Sequence, residues 1–299
     1  MHKSGFVNII GKPNVGKSTL MNVLVGERMS IITHKPQTTR HRILGIVNDD
    51  DYQIIFSDSP GIIEKSSYKM QEKMNRFAYS SFEDADIILY MVDVVDMTPP
   101  DEKLLLRLNG QKVPVFLLLN KVDKIEAEEL ESIQLKWRET LPTATIYPIS
   151  ARDKSGLDGL IPDILVHLPE GPEYFPKDQF TDRPMRFFVS EIIREKILLL
   201  YRQEIPYSCE VVVESYQEPD PAQKSKFTRI EAIIYVARKS QKNIMIGHRG
   251  EAITELGKQS RLAIEKFIEC PVFLQLFIKV KEDWRDDERA LKNFGYQAD

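Results

Sequence analysis

Eight residues constrain this chain more than any others: Gly11, Lys12, Pro13, Asn14, Val15, Gly16, Lys17 and Ser18 fit the pattern G-x-x-x-x-G-K-[ST]. An apolar run at 6–10 precedes them and a helical pattern at 18–25 follows, so the pattern sits where a strand gives way to a helix. In that setting the glycines let the backbone curl until its N–H groups and the helix N-terminus surround phosphate oxygens. Lys17 would then reach the terminal phosphates, the Ser18 hydroxyl would ligate Mg2+, and Thr19 would complete the cradle. A chance Gly-rich turn is the bland alternative, and the strand-loop-helix context argues against it.

The rest of the first half supports that context. Runs at 52–57, 87–92, 115–119 and 145–148 read as strands, and 68–82, 101–108 and 127–140 read as helices. This alternation implies βαβ units, hence an α/β P-loop domain with a parallel-rich sheet and helices on both faces. Ligands in such sheets sit at the carboxyl ends of the strands, where the polar motifs of this chain fall.

At 299 residues the chain has room for about two domains. Its net charge of −4 gives no global attraction to nucleic acid, so an anionic partner needs a local patch. Cys209 and Cys270 alone make no disulfide framework and point to a reducing cytosol. No apolar run approaches the roughly 20 residues that span a bilayer, and residues 1–6 are too short and polar for a signal peptide. The pattern breaks at Pro169, Gly171, Pro172, Pro176 and Pro184, which suggests a semi-rigid linker over 171–183 between domains at 1–170 and 184–299. Beyond it a helix is expected at 185–204, strands at 209–216 and 228–236 around a polar turn at 217–226, and a helix at 251–270 interrupted near Gly257. A strand at 272–280 and a charged helix at 282–293 complete an α+β plan.

Which nucleotide is bound follows from Asn120, Lys121, Val122 and Asp123, directly after the strand at 115–119. A carboxylate in the base plane accepts from both N1–H and the 2-amino group of guanine, and adenine has no such pair of donors. Hydrogen bonds to a charged partner contribute about 1.5–3 kcal/mol each, so Asp123 alone can select guanine. Asp123 capping a following helix is the simpler alternative. Ser150 and Ala151 are placed to offer a backbone N–H to the guanine oxygen. Asp58, Ser59, Pro60 and Gly61 follow the strand at 52–57; Asp58 suits Mg2+ through a water and the Gly61 N–H suits the γ-phosphate. One hydroxyl of Thr38 or Thr39 should complete the Mg2+ shell, with Thr39 favoured. Lys17, Thr39, Asp58 and Gly61 are thus the expected catalytic set, and 33–45 and 61–68 the expected moving parts.

These spaced motifs resemble the translation-factor-like GTPases. Ile62 and then Ile63 stand where Ras-like proteins place a water-orienting glutamine, so intrinsic hydrolysis should be slow. Relatives with asparagine at the position of Asn14 can hold a K+ ion there, which would supply positive charge to the site.

In the second half, Ile246, Gly247, His248, Arg249 and Gly250 precede a helix and then a strand, and this order resembles a type II KH domain of α-β-β-α-α-β plan. Such a loop closes on the backbone of a few single-stranded nucleotides. Arg238, Lys239, Lys242, Arg249, Lys258 and Arg261 against Glu251 and Glu255 give a local excess of +4, with Lys258 and Arg261 as candidate RNA contacts. A solvated helix face is the plainer explanation of those last two.

A GTPase domain carrying Lys35-Pro36-Gln37-Thr38-Thr39-Arg40, followed by one KH domain and the run Val280-Lys281-Glu282-Asp283-Trp284-Arg285, resembles the Era family of bacterial GTPases over essentially the whole chain. Ser59 replaces the threonine usual there. The resemblance implies GTP/GDP and Mg2+ as cofactors and binding near the 3′ end of 16S ribosomal RNA. It also implies a role in small (30S) subunit assembly, and a cytoplasmic monomer with peripheral contact at the inner membrane. The rival readings are an RNA-binding module that only binds nucleotide and a membrane-docking GTPase.

Overall fold

A computed structural model describes residues 1–63, 65–96, 98–99, 101–219 and 226–296. The first sheet has six strands: β1 (Lys3–Gly11), β2 (Ile43–Asn48), β3 (Tyr52–Asp58), β4 (Ile87–Asp93), β5 (Val115–Asn120) and β6 (Thr145–Ile149), in the order β2-β3-β1-β4-β5-β6. All neighbours are parallel except β2, which lies antiparallel on β3. Because successive side chains of a strand point to opposite faces, the apolar runs divide between two cores. Val7, Ile9, Phe116 and Leu118 pack with Leu20, Met21 and Ile164 on one face. Ile10, Leu117, Leu119 and Tyr90 pack with Ala78, Leu104 and Leu108 on the other. Helices α1 (Lys17–Val25), α2 (Lys69–Ser80), α3 (Glu102–Asn109), α4 (Ala127–Thr140) and α5 (Leu160–His167) cover these faces.

Strand β2 and helix α5 were not anticipated. β2 lies within the segment expected to be a polar connection; its signal was Ile43 and Ile46 ahead of the turn cluster Asp49, Asp50 and Asp51. The stretch at 171–183 is more than a spacer. The Ile46 N–H donates to the Phe180 carbonyl at 2.9 Å, and Gly45 bridges Thr181, so this stretch covers the outer edge of β2. Buried Gln53 fixes it further, accepting from the Tyr174 and Phe175 N–H groups and donating to the Phe175 carbonyl.

The second sheet is β7 (Cys209–Gln217), β8 (Thr228–Val236) and β9 (Val272–Val280), in that order, with β7/β8 antiparallel and β8/β9 parallel. Of the turn expected at 217–226, residues 220–225 lie outside the described residues. Helices α6 (Met185–Leu200), α7 (Lys239–Ile246) and α8 (Glu251–Ile268) pack on this sheet around Ile193, Ile197, Ile230, Ile234, Met245 and Ile264. α7 is eight residues of mostly polar sequence that bury Gln241 and Met245, too little apolar periodicity to be read in advance. α8 runs unbroken through Gly257, because one glycine inside eighteen helical residues costs only about 1 kcal/mol. The expected terminal helix shortens to α9 (Glu288–Asn293), capped by the Asp287 carboxylate accepting from the Arg289 N–H.

The two halves share a core. Met70, Met74 and Phe77 of α2 meet Ala237, Trp284, Ala290, Leu291 and Tyr296 in one buried cluster. Trp284 is fully buried and its indole N–H donates to the Ser208 carbonyl at 3.1 Å. Trp284→Ala should therefore lower unfolding free energy by roughly 3–5 kcal/mol in urea titrations, the range for deleting a buried large aromatic; a loss below about 1 kcal/mol would contradict this packing.

Candidate nucleotide site and RNA loop

The carboxyl ends of β1, β3, β5 and β6 converge on one cavity of about 200 Å³. Pro13, Asn14, Gly16, Lys17, Ser18, Thr19, Thr39, Gly61, Asn120, Lys121, Asp123, Ser150 and Ala151, all singled out in the sequence, line it. Gly16 has φ 109°, and a Cβ there would stand 2.3 Å from the Asn120 amide, so no side chain is tolerated. Asn120 is itself buried; its amide donates to the Val15 carbonyl at 2.7 Å and accepts from the Ala151 N–H at 2.9 Å. One side chain thus ties the phosphate loop, the base-reading loop and the loop after β6. Lys121 ties the first two again, donating to the Asn14 carbonyl and pairing with Asp93.

Asp123 accepts from the Ser150 hydroxyl at 2.7 Å, and its other oxygen pairs with Arg152 at 3.0 Å. Arg152 and Asp93 were missed. Arg152 directly follows Ser150-Ala151 and Asp93 closes β4, positions at the ligand edge of the sheet that could have flagged both.

Lys17 donates to the Gly11 and Lys12 carbonyls, and burial pushes its pKa down to about 8 against the pull of Asp58. Asp58 is fully buried. Desolvation pushes its carboxyl above the usual range, opposed by Lys17 and by the Ser18 and Thr39 hydroxyls. Its Oδ2 accepts from Ser18 at 2.7 Å, while its Oδ1 is buried with no hydrogen-bond partner. Thr39 Oγ1 lies 2.9 Å from Ser18 Oγ, whereas Thr38 turns away to Thr33 and the Lys35 carbonyl. Two hydroxyls and a carboxylate with an orphaned oxygen are hard donors, which fits Mg2+.

Other expected residues do not reach the cavity with their side chains. Val15 and Ile62 belong to the cores on either face of the sheet, and Ser59 Oγ donates to the Ile9 carbonyl. Pro60 is buried, Val122 begins a 3-10 turn, and the Lys12 amine donates to the Pro99 carbonyl. Ile63, not Ile62, lines the cavity. Parts of the segments expected to move are packed in this structure, and other parts are exposed. Arg40 and His41 of 33–45 are buried, 43–45 is strand, and of 61–68 only Glu64 lies outside the described residues.

In the second half, Gly247 ends α7 with φ 74°, and a Cβ there would meet Ala252 at 2.7 Å. Gly250 begins α8 with φ 83°, and nothing lies within 4 Å of the position a Cβ would take, so the turn is open on that side. Ile246 is half-buried; His248, Arg249 and Lys258 are exposed. Arg261 is half-buried. It pairs with Glu265 one helical turn on, at 2.8 Å, so the basic excess counted up to Arg261 is offset just beyond it.

A Gly-x-x-x-x-Gly-Lys-Ser loop, the run Asn120-Lys121-Val122-Asp123 and a hydroxyl-carboxylate cluster on a mostly parallel sheet, followed by a Gly-x-x-Gly turn between helices on a three-stranded sheet, define a P-loop GTPase joined to a KH domain. Family models agree: residues 6–121 match one described as a 50S ribosome-binding GTPase and 204–285 match the KH domain. The GTPase Era of Syntrophus aciditrophicus is 46% identical over 99% of this chain and 96% of its own length, and that of Carboxydothermus hydrogenoformans is 42% identical over 99% and 98%. A crystal structure of Era in complex with MgGDPNP and nucleotides 1506-1542 of 16S ribosomal RNA superposes with a TM-score of 0.93 at 39% identity, covering 100% of both chains. An Aquifex aeolicus Era variant bound to GDP·AlF4− superposes equally well, with a TM-score of 0.93 at 39% identity over 99% of this chain and 100% of that one. The chain belongs to the Era family of GTPases: it hydrolyses GTP to GDP and phosphate, with Mg2+ as cofactor.

Asp123→Asn should shift nucleotide preference from GTP toward xanthosine triphosphate, because the amide donates where the carboxylate accepts. Unchanged guanine selectivity in competition binding would refute the placement of Asp123 against the base.

Proposed function

We propose that the protein is a GTP-hydrolysing switch that binds the 3′ region of 16S rRNA through its KH turn and acts in small-subunit assembly. The observation that carries this is the open turn at Gly247–Gly250, in a chain that matches over its full length an Era structure holding that RNA region. Gly247 keeps the backbone tight against Ala252 while Gly250 leaves room for a phosphate to approach, with His248 and Arg249 offering donors beside it.

At the nucleotide site, the loop from Gly11 to Thr19 cradles the phosphates, Lys17 neutralises the terminal ones, and Asp123 reads guanine, while the Ala151 N–H is committed to Asn120. Ser18, Thr39 and Asp58 would hold Mg2+, which would supply positive charge to the triphosphate. The Gly61 N–H contacts the γ-phosphate. Ile62 in the core and Ile63 at the cavity leave no glutamine after Gly61 to orient water, which supports a slow intrinsic rate. Asn14 sits in the left-handed region with φ 64° at the exposed rim, placed for a K+ ion beside the phosphates. The family resemblance adds a cytoplasmic monomer with peripheral contact at the inner membrane; among the described residues no helix is long and apolar enough to cross one.

Three measurements test this. Gly250→Asp should weaken binding of a 16S 3′-end RNA fragment at least tenfold, through charge repulsion and a blocked approach, while leaving GTP turnover intact. Wild-type binding should also fall with salt at a log–log slope of about −0.7 per neutralised phosphate; RNA affinity that survives Gly250→Asp removes the KH turn from the interface. Separately, hydrolysis should run faster in K+ than in Na+ at equal ionic strength, and equal rates would remove the cation from Asn14.

A further inference from the structure

We infer that Arg194, a residue of the KH domain, is a positioning residue for GTP hydrolysis, holding the backbone on one side of Thr39 so that its hydroxyl stands at the Mg2+ shell. This rests on the assignment of Thr39 to that shell. The observation is the way four consecutive residues are shared between the domains. Arg194 donates to the Gln37 carbonyl at 3.3 Å and to the Thr38 carbonyl. On the other side, the Arg40 guanidinium is sunk in the KH domain, donating to the Pro206 carbonyl at 2.9 Å, the Cys209 carbonyl at 2.7 Å and the Glu210 carboxylate at 3.1 Å. Between these two grips, Thr39 faces the opposite way, 2.9 Å from Ser18 Oγ and 3.5 Å from Asp58.

Arg194 is itself immobilised. Only 1% of it is exposed, and Glu191 accepts from its Nε at 2.7 Å. Its planar fork spans two successive carbonyls, which a lysine ammonium cannot do with the same geometry. Ordering a loop costs backbone entropy at every residue fixed. A grip on both flanks meets part of that cost before the triphosphate arrives, leaving less to be supplied at the reacting geometry. A site with isoleucines where water-orienting glutamine stands elsewhere depends the more on such alignment.

The test is steady-state GTP hydrolysis against Mg2+ concentration in the full-length protein, for wild type, Arg194→Met, Arg194→Lys, Thr39→Ala and the Thr39→Ala/Arg194→Met double variant. Arg194→Met should lower kcat about tenfold, the scale of one lost charge-assisted hydrogen bond, and raise the Mg2+ needed for half-maximal rate. Its GDP affinity should stay within about twofold of wild type, since Arg194 holds Gln37, Thr38 and Glu191 and touches none of the residues assigned to guanine or to the phosphate loop. Arg194→Lys should recover part of the rate. In the Thr39→Ala background, Arg194→Met should add nothing. Wild-type kinetics in Arg194→Met, additive losses in the double variant, or a GDP affinity that falls in step with kcat would each overturn the inference. Should Arg194→Met fail to fold because Glu191 is stranded, Glu191→Gln/Arg194→Met carries the same expectation. If Thr39→Ala is itself without effect, the Mg2+ assignment falls and the inference with it. An impaired Thr39→Ala beside an unaffected Arg194→Met overturns the inference alone.

Discussion

One buried amide joins the parts of the nucleotide site that the sheet cannot join. The strands bring the ends of β1, β5 and β6 side by side, but their loops leave in different directions, and a loop costs entropy to hold. Asn120 closes that gap by donating to the phosphate loop at Val15 and accepting from Ala151. It lies so close behind Gly16 that the glycine admits no side chain. Lys121, next to it, donates to Asn14 from above. The phosphate loop, the loop from Asn120 to Asp123 and the loop after β6 are therefore tied into one preorganised surface.

Around this rigid centre lies a contact of a different kind. The segment from Lys35 to His41 is backed by the KH domain through buried charge. Burial alone would raise the Glu191 carboxyl, and Arg194 reverses this, holding it below the usual range. Burial pushes the Glu210 carboxyl up against the pull of Arg40, while the Tyr296 hydroxyl donates to it at 2.7 Å. His41, buried beside the Tyr296 and Phe187 rings, is pushed down to about 3 by desolvation and stays neutral at physiological pH. Buried ion pairs add little net stability compared with apolar packing, because desolvation offsets their attraction. What they supply here is geometry: a mismatched arrangement would strand a charge. The same face connects to the RNA turn, since Lys35 donates to the Tyr201 carbonyl and the Tyr201 hydroxyl donates to the Met245 carbonyl, two residues before Gly247. The segment from Lys35 to His41 and the residues leading into the Gly247–Gly250 turn are thus linked through Tyr201 and not only by the chain.

Much of this was legible beforehand where the signal is local. The strand-loop-helix context of Gly11–Ser18, the apolar runs of β1, β4 and β5, and the boundaries of β8 and β9 follow from period and composition. β2 was hidden because an edge strand of six residues carries a weak alternation, and α7 because its apolar residues, Ile244, Met245 and Ile246, are bunched at one end and show no helical face. The break expected at Gly257 did not occur, since packing along α8 outweighs one glycine. Arg261 looked like a free cation until Glu265 came round on the next turn.

By itself the sequence determined the two folds, the nucleotide chemistry and the family, because each rests on residues a few positions apart whose spacing is fixed by strand and helix geometry. Only the tertiary structure decided that Thr39 and not Thr38 faces Ser18, that Ile62 turns into the core, and that Arg40 and Arg194 lock the nucleotide segment to the KH domain. The interdomain contacts join residues more than 150 positions apart, as with Arg40 and Glu210 or Arg194 and Thr38. Nothing periodic in a chain marks such partners. They are set by where the shared core around Met74 and Trp284 brings the second domain to rest.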